Sequence, residues 1–163
     1  MPDQQIITLR LAEDFFGLDI VLVREINRNL DIIPVDLAPP YVKGLLNLRG
    51  QIVTVIDLGV RLGLGPRKIS DTSSCIVLKT RSELERNALG QIYAHKAPVD
   101  LVGIFIDQIG DVVTVNSEEI EPPTTHSSGI AAKFLDGVIK LEKQLLVTLK
   151  IDQIIGLEEA VAA

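Results

Sequence analysis

Residues 42–58 read VKGLLNLRGQIVTVIDL, two apolar runs on either side of Arg49 and Gly50. In the second run, from Ile52 to Leu58, both alternating faces are largely apolar. Short apolar runs bounded by glycine and polar residues are typical of β-strands, and a run that is apolar on both faces favours a strand covered on both sides. The stretch therefore predicts a buried strand and a β-rich fold.

Part of this pattern recurs 93 residues later in the chain. Residues 135–146 read LDGVIKLEKQLL, and they keep the apolar spacing of the first copy. Gly44 corresponds to Gly137, and Gln51 corresponds to Gln144. Self-similarity at a fixed separation indicates that one structural unit is present twice.

A second, shorter similarity supports the repeat. Residues 17–20 (GLDI) resemble residues 103–106 (GIFI), at a separation of 86. Together the similarities predict two β-rich halves, residues 4–66 and 69–157, within one domain that spans residues 1–163. Each half alone is too small for a sufficient core, so we expect the halves to pack against each other.

Further apolar runs predict more strands, whereas helical signals are weak and local. The predicted strands are Ile6–Leu11, Ser74–Lys79, Leu101–Asp107 and Gln144–Lys150. Pro39-Pro40 predicts a helical turn over residues 41–43 that Gly44 ends, and Asp152 predicts the start of a C-terminal helix. The sequence therefore predicts an all-β fold with a few short helices and a C-terminal helix.

Residues 81–98 interrupt the strand pattern with a polar, turn-prone segment. Such a segment is expected to be an exposed, inserted hairpin loop. Its length and its mixed charges motivate the hypothesis that this loop, which carries Tyr93 and His95, is a regulatory or self-association element.

Composition excludes several classes of protein. The chain has 163 residues, a formal net charge of −6 and one cysteine, so an intrachain disulfide and a cysteine-based zinc site are excluded. Few aromatic residues and a negative charge disfavour nucleic acid as a partner. We find no signal peptide, and no apolar run approaches the roughly 18 residues of a membrane span. We expect a cytoplasmic protein that does not insert into a membrane.

No catalytic set or metal site is recognisable in the sequence. The two histidines, His95 and His126, lie outside any nucleophile motif, and Cys75 lies in an apolar run that favours burial. Gly63-Leu64-Gly65 lacks the third glycine and the following lysine of a phosphate-binding loop. The spacings typical of metal ligands are missing as well. The sequence predicts that the protein is not an enzyme and has no cofactor.

Positive charge is concentrated in residues 43–68. This range holds five cations against Asp57 alone, a local charge of +4, so the remainder carries −10. The cations are Lys43, Arg49, Arg61, Arg67 and Lys68. The asymmetry is compatible with docking of an acidic partner or with ordinary scattered surface charge. Arg49, at the entry to an apolar strand, must reach a carboxylate or carbonyls, or emerge as a contact residue.

Residues 42–58 resemble the signature of the CheW family, the adaptors of bacterial chemotaxis arrays. The resemblance extends to residues 16–20 and 23–26, to residues 102–112 and to Leu135-Asp136-Gly137, so it covers nearly the whole chain. It implies two packed five-stranded SH3-like β-barrel subdomains, the halves named above. It also implies a non-enzymatic adaptor that couples chemoreceptor tips to the regulatory domain of a chemotaxis-type histidine kinase.

The same resemblance implies where partners bind. Receptor or kinase contacts would involve positions in both halves, namely Val23, Glu25, Lys43, Gly44, Arg49 and Ile109. Each position also has a structural interpretation: Val23 and Ile109 as core, Gly44 as a helix stop, Arg49 as a scaffold donor. The protein would reach membrane-associated receptor arrays through its partners and is expected to be a monomer when free.

Two departures from the family pattern leave alternatives open. Thr54 stands where the family usually has proline, and the insertion at residues 81–98 lengthens a hairpin that is short in the common adaptor. The insertion could cover a docking surface or add a partner, so an adaptor of a pilus-motility or phototaxis system is one alternative. A small-ligand-binding β-barrel is another, but it would require a convergent polar cluster that the sequence does not reveal.

Overall fold

The computed structural model describes residues 3–123 and 130–156. Its strands are β1 (Asp3–Leu11), β2 (Asp14–Asp19), β3 (Val23–Asn27), β4 (Val42–Leu48), β5 (Gln51–Asp57), β6 (Ser74–Leu78), β7 (Val102–Ile106), β8 (Gln108–Asn116), β9 (Ile120–Glu121), β10 (Leu135–Lys140) and β11 (Leu145–Leu149). Its α-helices are α1 (Leu58–Arg61), α2 (Arg81–Leu84), α3 (Ala88–Tyr93) and α4 (Ile151–Ile154). Single 3-10 turns occupy Ile20–Leu22, Ala94–Lys96, Ser117–Glu119 and Ala132–Phe134.

The described strands form two sheets with one shared design. A five-stranded sheet has the order β3-β6-β7-β5-β4, and a six-stranded sheet has the order β8-β1-β2-β11-β10-β9. In each sheet an antiparallel group of three strands joins an antiparallel hairpin through one parallel pair, β7 with β5 and β2 with β11. The predicted all-β fold of two packed β-subdomains is confirmed, and β9 is a two-residue addition to the second sheet.

Each sheet takes strands from both halves of the sequence. The five-stranded sheet combines β3, β4 and β5 with β6 and β7, whereas the six-stranded sheet combines β1 and β2 with β8 to β11. The first two strands of residues 4–66, β1 and β2, lie in the six-stranded sheet, and the first two strands of residues 69–157, β6 and β7, lie in the five-stranded sheet. The division into sequence halves therefore does not coincide with the division into sheets. Because neither sheet is complete without both halves, the chain forms one body.

The internal repeat is visible in the backbone. The β4–β5 hairpin has a bulge between Val42 and Gly44, and the β10–β11 hairpin has a bulge between Leu135 and Gly137, 93 residues later. Helices α1 and α4, which follow these hairpins, also begin 93 residues apart. The parallel pairs match too, since Thr54 lies opposite Val102 and the equivalent Val147 lies opposite Phe16.

Three apolar clusters stabilise this arrangement. The largest joins the two sheets and includes Leu9 and Leu18 of one sheet and Ile104 of the other, all at most 1% exposed. A second cluster around Phe105 belongs to the five-stranded sheet, and a third around Ile139 belongs to the six-stranded sheet. Full burial of one such side chain contributes about 1.5–3 kcal/mol. The shared cluster therefore holds the two sheets together.

Residues 81–98 do not form the exposed hairpin loop expected from the sequence; they form α2, α3 and a 3-10 turn. Thr80 and Glu83 make a reciprocal capping box at the start of α2, and Asn87 caps α3. Leu84 is buried in the shared cluster, and a Cβ on Gly90 would lie 2.0 Å from the Leu84 carbonyl oxygen. The segment is helical because it has caps at both helix starts and a glycine where the helices meet.

The predicted turn over residues 41–43 is wrong, because β4 already begins at Val42. Gly44 lies inside this strand, where a Cβ would meet the Ile33 carbonyl oxygen at 2.3 Å. Glycine is required there for close backbone approach and not as a helix stop. The C-terminal helix is confirmed: α4 begins at Ile151, one residue before the predicted Asp152.

Candidate partner-binding surface

The six residues assigned to partner binding by resemblance lie on both sheets. Val23 and Glu25 are on β3, Lys43 and Gly44 are on β4, Arg49 is in the β4–β5 turn, and Ile109 is on β8. A side-chain hydrogen bond joins one pair of them, Glu25 and Arg49. The remaining four have different surroundings.

The Glu25–Arg49 pair is a surface ion pair. The Arg49 Nη2 lies 2.6 Å from the Glu25 Oε2, and 68% of the Arg49 side chain is exposed, against 28% for Glu25. The hydrogen bond to Glu25, and secondly the charge of this carboxylate, raise the pKa of Arg49 above its ordinary value. Ion pairs this exposed stabilise a fold very little. The guanidinium therefore remains accessible to a partner.

The backbone of Arg49 is strained. Leu48 pairs with Gln51, so the hairpin turn consists of Arg49 and Gly50 alone, with φ values of 51° and 85°. A two-residue turn with positive φ at both positions is a type I′ turn, which favours Asn-Gly. Arginine, unlike glycine or asparagine, is disfavoured in this left-handed conformation, at a cost of about 1–2 kcal/mol, because its Cβ lies too close to the following carbonyl oxygen. Strain at an exposed residue is typical of a functional position.

Arg24 extends this polar surface toward the helical insertion. Its Nε lies 3.2 Å from the Glu83 Oε2, and its Nη2 contacts the other oxygen of the same carboxylate. Burial alone would raise the pKa of Glu83, but hydrogen bonds from Arg24 and from the Thr80 backbone outweigh it and lower this pKa. Sequence reasoning missed Arg24, although it lies between Val23 and Glu25.

Val23 and Ile109 are equivalent positions of the two sheets. They are 86 residues apart, the separation of the second sequence similarity. Val23 pairs with Leu78 and Ile109 pairs with Leu9, each on the first strand in its sheet order. Both side chains are half-buried against the shared cluster. Each sheet thus presents a partly exposed aliphatic residue at this equivalent position of an outer strand.

Lys43 points away from the Glu25–Arg49 pair and into a polar cluster. Its Nζ donates to the Arg67 carbonyl oxygen at 2.9 Å and lies 4.5 Å from the centre of the Phe105 ring. The buried Asp57 carboxylate is 4.0 Å away and also accepts hydrogen bonds from the backbone N–H groups of Val60 and Arg67. Lys43 therefore has structural partners.

Two other cations of residues 43–68 are also engaged. Arg61 donates to the Ile154 and Gln153 carbonyl oxygens at 2.9 and 3.0 Å. Arg67 forms a two-pronged contact with the Asp107 carboxylate. The pKa of Asp107, which burial would raise, is lowered because Arg67 and the Ala12 backbone donate hydrogen bonds to it. Most of the local positive charge thus has a structural explanation.

Within the described residues we find neither a reactive cysteine nor a metal site. Cys75 is buried, and this burial raises the pKa of its thiol to about 12. Residues 3–123 and 130–156 contain no cluster of metal-ligating side chains, whereas His126 lies outside the described residues. A cavity of about 300 Å³ between the halves is lined by mixed charges that include Asp19, Lys96 and Asp152, without a histidine or cysteine. None of the described helices has the length and hydropathy to cross a membrane.

Comparison with known proteins places these features in a family. The chain is similar to the chemotaxis protein CheW of Treponema pallidum, with 30% identity over 95% of this chain and 84% of that protein. Identity to the chemotaxis protein CheW of Klebsiella aerogenes is 28% over 96% and 84%. The crystal structure of the scaffolding protein TtCheW from Thermoanaerobacter tengcongensis superimposes with a TM-score of 0.76 at 27% identity, covering 94% of this chain and 88% of that one. The CheW-like domain family matches residues 5–159, and the chain belongs to this family.

Proposed function

We propose that this protein is a non-enzymatic adaptor that couples the cytoplasmic tips of chemoreceptors to a chemotaxis-type histidine kinase. Membership of the CheW-like family supports this proposal, as do relatives that are chemotaxis and scaffolding proteins. The observation that carries it is the exposed Glu25–Arg49 pair, which is held at the tip of a strained turn. We assign the receptor contact to this pair and to Val23 beside it.

The chemistry of the pair suits a protein partner better than a small molecule. Arg49 presents a planar, permanently charged fork, which can bind a carboxylate with two parallel hydrogen bonds. Its present partner, Glu25, stabilises the fold little, so exchange for a carboxylate of a partner costs little. No enclosed pocket is needed for this kind of contact.

The two-sheet body also suits a protein that bridges two others. The outer strands β3 and β8 present equivalent residues, Val23 and Ile109, on different sheets of one rigid core. Sheet edges that carry partly exposed aliphatic side chains are common docking elements. We assign Ile109 to the partner contact on the six-stranded sheet, and we expect the adaptor to act in the cytoplasm, at receptor arrays that it reaches through its partners.

An adaptor of a pilus-motility or phototaxis system is not favoured, because the relatives reported above are chemotaxis proteins. The small-ligand alternative is not favoured, because the cavity between the halves carries mixed charges and no recognisable set of converging ligand donors.

Calorimetric titration against the regulatory domain of a chemotaxis-type histidine kinase from the same cell tests the coupling. We expect saturable one-to-one binding with a negative heat-capacity change, since docking buries apolar surface. Absence of binding at about 50 μM, where a complex of useful affinity would be populated, contradicts this half of the proposal.

The proposed contact with the receptor is tested by titrating the variant Arg49→Glu with a cytoplasmic receptor tip. Charge reversal places two carboxylates beside each other, so we expect affinity for the receptor tip to fall by about tenfold or more. Thermal unfolding of the same variant is the control, and we expect it to change little. If Arg49→Glu unfolds the protein, Arg49 is structural and its assignment is wrong.

A further inference from the structure

We infer that α3 and the cavity beside it form a second receptor-binding surface, continuous with β3, that accepts an acidic, amphipathic helical segment of the receptor tip. This inference rests on the proposed function and extends it to residues outside the family signature. It concerns Leu89 and Ile92 as apolar contacts and Lys79 and Arg86 as charged contacts.

The outward face of α3 is apolar. Leu89 and Ile92 are 58% and 66% exposed and lie three positions apart, so they share one face of the helix. The adjoining face, with Gly90 and Tyr93, packs inward. On this six-residue helix the two aliphatic side chains form a small contiguous apolar patch, which docking of a partner would bury. Side chains three apart form a ridge of the kind that fits between two turns of another helix.

A cavity of about 210 Å³ adjoins this ridge. Its apolar walls are Val21, Leu84 and Leu89, and its charged walls include Lys79 and Arg86. This volume accommodates one or two side chains and is too small for a folded element. The cavity therefore fits a residue that projects from a helix lying along α3.

The charges of the cavity determine which kind of helix fits. Within the described part of the chain, neither Lys79 nor Arg86 has an ion-pair partner, whereas Arg24, Arg49 and Arg67 each hold a carboxylate. Glu83, the acidic residue of the cavity, is already bound to Arg24. Two unpaired cations beside an apolar ridge complement a helix with carboxylates next to an aliphatic side chain.

Contacts with β3 connect this surface to the proposed receptor site. Arg24 lies between Val23 and Glu25, and its ion pair with Glu83 ties the strand to α2. The backbone N–H of Lys79 donates to the Leu22 carbonyl oxygen at 2.9 Å, which holds the cavity against the start of β3. We therefore expect a long helical tip that contacts Arg49 and Val23 to reach the cavity beside α3.

The inference is tested by titrating the full chain with the same receptor tip. The informative variants are Leu89→Asp and the double variant Lys79→Glu/Arg86→Glu, since deletion of the segment would remove the buried Leu84 and unfold the protein. We expect each to weaken receptor-tip binding by about tenfold or more. The matched control is Leu145→Asp, an equally exposed leucine (56%) on β11 of the other sheet, which we expect to leave affinity unchanged.

Other outcomes separate this inference from the proposed function. If Arg49→Glu weakens receptor binding and Leu89→Asp does not, the second surface is refuted and the adaptor function stands. If Leu89→Asp weakens only the binding of the kinase domain, the occupant is not the receptor and the inference is wrong. If the wild-type protein does not bind the receptor tip, the inference and the receptor half of the proposed function both fall.

Discussion

The two copies of the hairpin-and-helix unit, β4–β5–α1 and β10–β11–α4, share a backbone and differ in chemistry. Both have a bulge near the start and a four-residue helix at the end. The first hairpin turns in two residues through Arg49, whereas the second turns over residues 141–144. The buried Asp57 caps α1 with its carboxylate, whereas Lys150, at the equivalent position, makes no side-chain cap to α4.

This difference indicates a division of roles within the repeat. Lys43 and Arg61 of the first copy donate hydrogen bonds to carbonyl oxygens elsewhere in the protein, whereas Lys140 of the second copy forms an exposed ion pair with Glu121. The second copy supplies backbone carbonyl oxygens and apolar surface. The carbonyl oxygens at the end of α4, for example, accept hydrogen bonds from Arg61 of α1. Arg49, the proposed contact residue, has no counterpart in the second copy, where Glu142 occupies the equivalent position.

The largest effect is expected from Arg61→Ala, which removes the main polar link between the copies. Arg61 donates to two carbonyl oxygens at the end of α4 and lies 4.0 Å from the Tyr41 ring centre and 5.2 Å from that of Phe134. Tyr41 and Phe134 are themselves equivalent residues of the two copies. We expect the free energy of unfolding to fall by about 3 kcal/mol, measured by urea titration.

Arg61→Lys serves as the graded control, since it keeps the charge and loses the planar fork; we expect a smaller loss. A change below about 1 kcal/mol for Arg61→Ala would mean that the shared apolar cluster alone holds the copies together.

The next effect compares Gly44→Ala with its equivalent, Gly137→Ala. A Cβ on Gly44 would lie 2.3 Å from the Ile33 carbonyl oxygen, whereas a Cβ on Gly137 would first meet the Ile120 Cγ2 at 2.5 Å. The backbone around Ile33 cannot move without breaking its bridge to Leu45, but the Ile120 side chain can rotate. We expect losses of about 2 and about 1 kcal/mol, respectively, in urea unfolding. Equal losses would contradict the assumed difference in flexibility.

Local patterns were sufficient to predict much of the fold. Apolar runs predicted strands, and the shared apolar spacing around Gly44 and Gly137 predicted the repeat. Both signals are local patterns of residues that are neighbours in the sequence. The exchange of strands between halves was not predictable, since a repeat looks the same whether its strands pair within a copy or across copies. Helix α2 was missed although the Thr80–Glu83 capping box is a local signal.

The candidate site was predictable only in part. Arg49 was recognised as a residue that must reach a carboxylate or emerge at the surface, and it does both with Glu25. The Arg24–Glu83 pair was not foreseen, because its members are 59 residues apart and meet only after β3 and α2 are in place. The half-buried positions of Val23 and Ile109 depend on the sheet order, which composition and spacing do not determine.

Acid pH is expected to have a smaller effect, through the two ion pairs of Glu83 and Asp107. Neither pair is repeated, because Gly110 lies at the position equivalent to Arg24 and Val21 lies at the position equivalent to Asp107, each 86 residues away. Both carboxyl pKa values are lowered in the folded state. Their contribution to stability is therefore complete above the unfolded pKa and is lost as pH falls, between about pH 5 and about pH 3.

Urea unfolding across this range measures the loss, with Glu83→Gln and Asp107→Asn as controls. We expect each variant to be less stable at neutral pH and to depend less on pH between these limits. An unchanged pH dependence in both variants would assign the acid sensitivity to other carboxylates.

The smallest effect on stability is expected at the residue with the largest proposed role in binding. In Arg49→Asn the turn becomes Asn-Gly, the preferred type I′ sequence, so strain is relieved while the exposed ion pair with Glu25 is lost. We expect thermal and urea unfolding to show a gain of about 0.5–1 kcal/mol.

Titration with the receptor tip should show weaker binding in the same variant. A strained residue whose replacement stabilises the fold and weakens binding is retained for the contact, because stability alone would favour asparagine. If Arg49→Asn instead destabilises the protein, the Glu25 pair stabilises the hairpin, and the first copy of the repeat differs from the second for structural reasons.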